Sequence, residues 1–311
     1  MSRICIIGGT NIDICGTAYE PLKERDSNAG EITVSFGGVG RNIAEICALL
    51  HDNVSFVTCF SDDGYGALLK SDCEKLGMDC SCSITAAGVP SSMYLAILDS
   101  DHDMRLAMND MRLLSHLKTE TVQKAAGFLS AEDWLVLDAN LEEACIQAAL
   151  HTAQCPAAAD PVSMQKAGKF LPVLDRLAVF KPNRFEAEYL NGIQITDAES
   201  ARASLQWFLD QGVREVIISM ADEGVLLGTQ EQCVWMRHQK IPVSNATGGG
   251  DAFLGAYIAA RARGIEPKDA AYAGIGSAAA TIGQNAVRRR TLSKKMIENE
   301  IVHMKIRETV L

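Results

Sequence analysis

Short, wholly apolar runs recur along the chain, and longer stretches with helical spacing lie between them. The runs are Ile4–Ile7, Val54–Cys59, Trp134–Leu137, Ala157–Asp160, Leu177–Phe180 and Val216–Ser219. They lack polar alternation, as strands buried on both faces of a parallel sheet do. Arg41–Leu50, Ala67–Leu76, Thr119–Gly127, Leu141–His151 and Ala198–Gln211 read as the intervening helices. This alternation predicts an α/β fold, a sheet with helices on both faces.

Two stretches depart from that pattern. Glu31–Phe36 alternates polar and apolar residues with period 2. Ser91–Leu98 and Met104–Asn109 do much the same, across the turn-forming cluster Asp99-Ser100-Asp101-His102-Asp103. They read as antiparallel strands with one wet face, forming a small separate sheet that could act as a lid over a site. No repeat or linker divides the chain, so one domain is expected over 1–311, with lid segments at about 12–36 and 84–110.

Composition narrows the function classes. At 311 residues, 48% hydrophobic and 22% charged, the chain can bury a stable core without disulfides. A net charge of −10 argues against a broad nucleic-acid-binding face, and the run Arg288–Arg290 reads as a solvated loop. No apolar stretch is long enough to span a membrane, and the N-terminus reads as a first strand rather than a secretion signal. Ten cysteines without a CxxC pair suit a reducing cytoplasm, and six histidines show no zinc spacing.

Four segments carry candidate chemistry. Gly248-Gly249-Gly250-Asp251 runs into a helix expected to reach about Arg263, with Gly264 as its C-cap. Unpaired N–H groups at such a helix start suit a phosphate or an oxyanion, and Asp251 would be available there as a base. An ordinary glycine turn with Asp at a helix start is the plainer alternative. Gly37-Gly38-Val39-Gly40-Arg41-Asn42-Ile43-Ala44 follows a strand and opens a helix. It fails the dinucleotide fingerprint, since Ile43 stands at the third glycine position, and a turn presenting Asn42 to a polar ligand fits better. In Asn183-Arg184-Phe185-Glu186 the two polar residues lie three apart. They could hold a hydrated Mg²⁺ through water, while a capping box is the plainer reading of the same spacing. Asn11 and Asp13 follow the first strand at the sheet end where ligands bind, and Asp13 could accept from substrate hydroxyls or serve only a turn.

Together, in this order and spacing, these segments resemble the ribokinase-like (PfkB) family of carbohydrate and nucleoside kinases over nearly the whole chain. The resemblance implies a doubly wound, mostly parallel sheet with a β-sheet lid, ATP as donor and Mg²⁺ as its ion. It implies Asp251 as the base for a primary hydroxyl and Gly248, Gly249 and Gly250 as the anion hole. Asn11, Asp13, Asn42 and the Gly37–Gly38 backbone would hold ribose hydroxyls. Asn183, Ser219, Gly224, Thr247, Gly248 and Gly250 would line the ATP site, and Ala273–Asn285 would close around adenine. Glu186 and Asn183 would serve Mg²⁺ through water.

Asp26-Ser27-Asn28-Ala29-Gly30, Ser91-Ser92-Met93-Tyr94, Asn109-Asp110-Met111 and Asp160-Pro161-Val162-Ser163 with Lys166 are similar to the subgroup acting on pseudouridine. That likeness makes Asp26, Ser27, Asn109 and Lys166 candidates for the base end, although a surface role is as natural for Lys166. Ribose, adenosine or another nucleoside are the alternative acceptors, and a non-catalytic sensor is the alternative class. Asn245 stands where many members carry Asp, so a weakened response to potassium is expected. The family's habit of pairing through its lid implies a homodimer.

Overall fold

The computed structural model describes residues 2–239, 248–282 and 291–311. The strands of the body are β1 (Ile4–Ile7), β4 (Val54–Val57), β9 (Trp134–Asp138), β10 (Ala157–Asp160), β11 (Val179–Phe180), β12 (Glu215–Ser219), β13 (Val225–Thr229), β14 (Cys233–Arg237) and β15 (Arg307–Val310). They form one sheet in the order β15-β14-β13-β12-β11-β10-β9-β1-β4. Pairing is parallel from β4 to β12. β13, β14 and β15 then extend the sheet in antiparallel fashion. The three stretches expected in a separate sheet do lie apart from this one, and the antiparallel extension is built from strands that were not singled out in the sequence. Its strands Val225–Thr229 and Cys233–Arg237 are mostly buried, so they carry little of the wet-face alternation that marks a lid strand.

Both faces of this sheet are covered, which is why its strands read as unbroken apolar runs. On β1, Ile4 and Ile6 point into one core and Cys5 and Ile7 into the other. The first core receives α1 (Val39–Leu50), α2 (Gly64–Lys75), α8 (Gly249–Arg261) and α9 (Pro267–Ile282). The second receives α3 (Thr119–Gly127), α4 (Glu143–Thr152) and α7 (Ala198–Asp210). Burying Ile43 and Ile46 of α1 contributes roughly 2 kcal/mol each. Arg41 is also buried on α1, paired with Glu45 and with Asp72 of α2 at 2.8 Å. That pair ties the first two helices together.

α8 ends at Arg261, and its cap residue Ala262 stays right-handed. Gly264, expected as the cap, turns left-handed three residues beyond the helix, and its N–H closes on Arg261 O at 2.9 Å. The run Val54–Cys59 splits at Thr58, and β5 (Cys59–Ser61) pairs separately with β6 (Ile84–Ala86).

The small separate sheet contains β2 (Asn11–Ala18), β3 (Gly30–Gly37), β7 (Met93–Leu98) and β8 (Met104–Asp110), ordered β3-β2-β7-β8. It is not wholly antiparallel, because β2 and β7 run parallel. Its faces also differ from expectation. The register puts Ile14, Val34, Leu95 and Met108 in one row and Asp13, Ser35, Tyr94 and Asn109 in the next, on the opposite face. Near the body, Ile14, Phe36 and Met93 pack on the first core. Farther out, Ile32, Val34, Leu106 and Met108 remain exposed. A strand alternation alone cannot tell a covered apolar face from an open one.

Candidate active site

The loops at the carboxyl ends of β1, β9, β10 and β11 converge with the starts of α1 and α8. Gly38 is the N-cap of α1 at φ 101°, a conformation that favours glycine, and a Cβ there would strike Gly9 O at 2.5 Å. This lets the turn lie against Gly9-Thr10, with Arg41 N–H donating to Gly9 O at 3.1 Å. Asp13 stands against Gly37, whose Cβ would sit 2.1 Å from Oδ2, and Asn11 Nδ2 donates to Asp13 Oδ1 at 2.5 Å.

α1 and α8 lie unusually close. A Cβ on Gly255 would meet Ile46 at 2.7 Å, and Cys47 Sγ reaches Gly255 O at 3.4 Å. That approach brings Asn42 to Asp251: Nδ2 donates to Oδ2 at 2.8 Å. Asn42 is 8% exposed, and its Oδ1 is buried with no partner among the described residues. A buried acceptor left open in this way wants a donor. Gly248 caps α8 in the left-handed region, and Gly249, Gly250 and Asp251 form its first turn. The first N–H groups there have no intrahelical partner.

Two residues absent from the expected set organise these loops. Asp138 ends β9, fully buried. Its Oδ2 accepts from Gly9 N–H at 2.9 Å and Gly40 N–H at 2.7 Å, and its Oδ1 accepts from Asn140 N–H at 2.9 Å. Burial pushes its carboxyl upward despite these donors. Asn140 accepts from Lys166 Nζ at 2.7 Å and lies against Gly9. Lys166 is thereby joined to the Gly9–Asn11 turn. The sequence signal for both was their position directly after an apolar strand, at its carboxyl end.

Asn183 and Glu186 form a reciprocal capping box at the start of α6 (Arg184–Asn191), with contacts of 2.7 and 3.0 Å. Burial raises the Glu186 carboxyl, and Asp160 nearby adds to the rise. Lys181, just after β11, is buried and pairs with Asp160 at 3.1 Å. Burial pulls Lys181 down, but Asp160, Glu186 and Asp251 outweigh it and raise it. Ser219 bridges to Asn183, and Gly224 stands at φ 97° beside Met236 O. Thus Asn183, Glu186 and Ser219 come together, and so do Gly37, Gly38, Asn11, Asp13, Asn42 and Asp251.

Asn109 lies on the polar lid face, two strands from Asp13. Asp26 and Ser27 sit in the exposed loop at the far end of the β2–β3 hairpin, and no contact joins them to the cluster among the described residues. Thr247, Asn245, the later part of Ala273–Asn285 and the run Arg288–Arg290 lie outside the described residues. Burial pushes the Cys5 and Cys47 thiols up to about 12, which suits packing rather than nucleophilic work. No helix among the described residues is long and apolar enough to cross a membrane.

Comparison with known proteins places the chain among sugar and nucleoside kinases. Pseudouridine kinase from Escherichia coli is 33% identical over 253 residues, covering 81% of each chain. Guanosine-inosine kinase from Exiguobacterium acetylicum is 23% identical, covering 83% of this chain and 87% of its own. The ribokinase structure from Thermotoga maritima superimposes with a TM-score of 0.82 at 24% identity, covering 97% of this chain and all of its own. The model of the pfkB family of carbohydrate kinases matches residues 1–294, so the chain belongs to that family of kinases, phosphotransferases acting on alcohol groups.

Proposed function

We propose that the chain transfers the terminal phosphate of ATP to the 5′-hydroxyl of pseudouridine, giving pseudouridine 5′-phosphate and ADP. The observation that carries the transfer is the Asn42–Asp251 hydrogen bond at 2.8 Å. It joins a hydroxyl-binding turn to a carboxylate at a glycine-rich helix start. Asn42 Oδ1 is a buried acceptor with no partner among the described residues, and Asn11, Asp13 and the Gly37–Gly38 backbone supply further polar groups for a ribose. Asp251 takes the proton from the attacking hydroxyl. The N–H groups of Gly248, Gly249 and Gly250 face the charge that grows on the transferred group. Asn183, Ser219 and Gly224 line the ATP side, and the family resemblance assigns Thr247 to it as well.

ATP arrives with Mg²⁺, which when bound neutralises phosphate charge. Among the described residues no cluster of three ligands exists for a bare ion. Glu186 and Asp160 are neighbouring oxygen donors, and Glu186 is partly committed to its cap. That set fits an ion that keeps its waters and reaches phosphate oxygens, with Glu186 and Asn183 holding those waters.

The pseudouridine reading rests on the 33% identity to the Escherichia coli enzyme and on the base-end candidates Asp26, Ser27, Asn109 and Lys166. The whole chain works as one unit, its lid segments (12–36 and 84–110) closing over the nucleoside, in the cytoplasm, where ten unpaired cysteines persist. A second copy of the chain docks on the lid. Ribose, adenosine or another nucleoside is the second reading, favoured because Asp13 and Asn42 suit any ribosyl compound. The test is kcat/KM for pseudouridine, uridine, adenosine and ribose in one buffer. Pseudouridine should lead, and equal or better use of adenosine or ribose overturns the substrate while leaving the transfer intact.

A further inference from the structure

The motif Ser91-Ser92-Met93-Tyr94 brings an aromatic residue onto the polar face of the lid. The register sets Ser35, Asp13, Tyr94 and Asn109 side by side in one row, each on its own strand. Neighbouring strands lie about 4.8 Å apart, so Tyr94 is next to the carboxylate proposed to hold ribose hydroxyls. No other residue on that face of β2, β3, β7 or β8 is aromatic. Tyr94 belongs to neither hydrophobic core, whereas Met93 beside it packs on the first. Its ring therefore sits on the sheet surface without the packing that explains a core aromatic.

The side chain lies along the sheet. Tyr94 Oη donates to Met104 Sδ at 3.6 Å, and Met104 pairs with Leu98, four residues farther along β7. Four residues of strand span about 13 Å, so the phenol must lean strongly toward the lid tip to make that contact. Between the two lies Ala96, 8% exposed, with Cys15 and Ala107 as its neighbours across the strands. These side chains are short, and a ring leaning over them rests one face on the sheet. Its other face is left to the space over the row, and the residue is half-buried rather than covered. An aromatic ring held in this manner, between a carboxylate and an amide, matches a molecule in which a polar sugar is joined to a flat ring. Free ribose has nothing to lay on it.

We propose that Tyr94 is the specificity-determining platform on which the base of the acceptor stacks, so that the site selects a nucleoside over free ribose. This deepens the reading of the acceptor as a nucleoside and rests on it. Asp13 takes the sugar hydroxyls, the base passes over the Tyr94 ring, and Asn109 is placed to meet the base edge. Stacking discriminates weakly among bases, because each has a π face. It sets the class of acceptor, and the polar groups around it set the base.

The experiment measures dissociation constants by calorimetry for pseudouridine, uridine and adenosine, and for ribose by displacement of the bound nucleoside, in wild type, Tyr94→Phe and Tyr94→Leu. Wild type should bind its best nucleoside at least about 10-fold more tightly than ribose. Tyr94→Leu should weaken that nucleoside about 10- to 100-fold and ribose by less than about 3-fold. KM should follow the dissociation constant while kcat stays within about 3-fold, since the base is remote from the transferred phosphate. Tyr94→Phe keeps the ring and loses only the contact with Met104, so it should stay within about 3-fold of wild type throughout. If Tyr94→Leu does not fold, Tyr94→Met can follow the same path without a ring and should give the same pattern. Equal loss of ribose and nucleoside overturns the proposal, because it marks damage to the sheet, and so does unchanged nucleoside binding in either ring-free variant. A wild type that binds no nucleoside more tightly than ribose overturns it too. Nucleoside binding without phosphate transfer is instead the failure of the kinase reading, and leaves the platform standing on the binding constants.

Discussion

At the residue scale, two carboxylates share the same region with opposite duties. Asp251, the proposed base, is half-exposed at a helix start, in contact with Asn42. Asp251→Asn keeps that shape and removes the basicity. Turnover should fall at least about 10²-fold with nucleoside binding largely kept, as stopped assays and calorimetry would record. Asp138 is buried and accepts three backbone N–H groups. Asp138→Ala strands those donors and should cost at least about 3 kcal/mol in chemical denaturation. Asp138→Asn, which can still accept from part of the set, should cost less. Asp251 was legible in the sequence because its glycines adjoin it. Asp138 was not, because its partners Gly9 and Gly40 are 129 and 98 residues away. Asn183 and Glu186 were legible as a pair, and the same spacing specified their cap.

At the element scale, the helix starts bind the molecule's parts together. Asp63 caps α2 by accepting from Gly66 N–H at 2.8 Å, and also accepts from Ser91 N–H at 2.8 Å and Ser91 Oγ at 2.7 Å. It therefore fastens the root of β7 to α2. Burial pushes its carboxyl up, but the donors from Ser91 and Gly66 outweigh this and lower it to about 2. A depressed carboxylate stabilises the fold above its ordinary range and loses that contribution as pH falls through its folded value. Wild type should thus lose stability relative to Asp63→Ala between about pH 4 and pH 2, and the two should converge below it. At neutral pH the alanine variant should be less stable by about 1 kcal/mol. Unfolding midpoints across that range check both statements. The sequence announced this region as strands but not their partners. β2 fell inside the segment at about 12–36 but was not resolved as a strand of its own, because Gly16 breaks the apolar row of Ile12 and Ile14 and the residues around it read as a turn. β13 and β14 were not singled out, since neither is followed by the helix that marked the other strands of the body. The parallel helical body needed only periodicity, since each element there buries a face against its sequence neighbours.

At the scale of the whole molecule, the lid carries an apolar face that the body does not cover. Ile32, Val34, Leu106 and Met108 are 74, 52, 62 and 67% exposed. They lie on the face opposite Asp13 and Asn109, so covering them leaves the polar face free. A matching surface on a second copy is the simplest cover, because a twofold axis pairs one patch with itself. Light scattering should give twice the 33.5 kDa chain mass, and Val34→Lys with Leu106→Lys should return it to one. A single-chain mass in wild type would refute the pairing. The parallel union of β2 with β7 reaches further still. Ile12 pairs with Met93, about 80 residues on, so the loop closed is long and its entropy is lost before the strands gain anything. The hairpin from β2 and β3 must wait, unpaired along one edge, until α1, β4 and α2 have set the distance. Refolding should therefore order the body first and the lid last, and pulsed exchange should protect Ile6 and Phe56 amides before those of Ile14 and Leu95. During synthesis the same delay leaves the β2 edge from Ile12 to Thr17 open to the nearest nascent chain, so the small sheet is completed at the moment when it is most exposed to strangers.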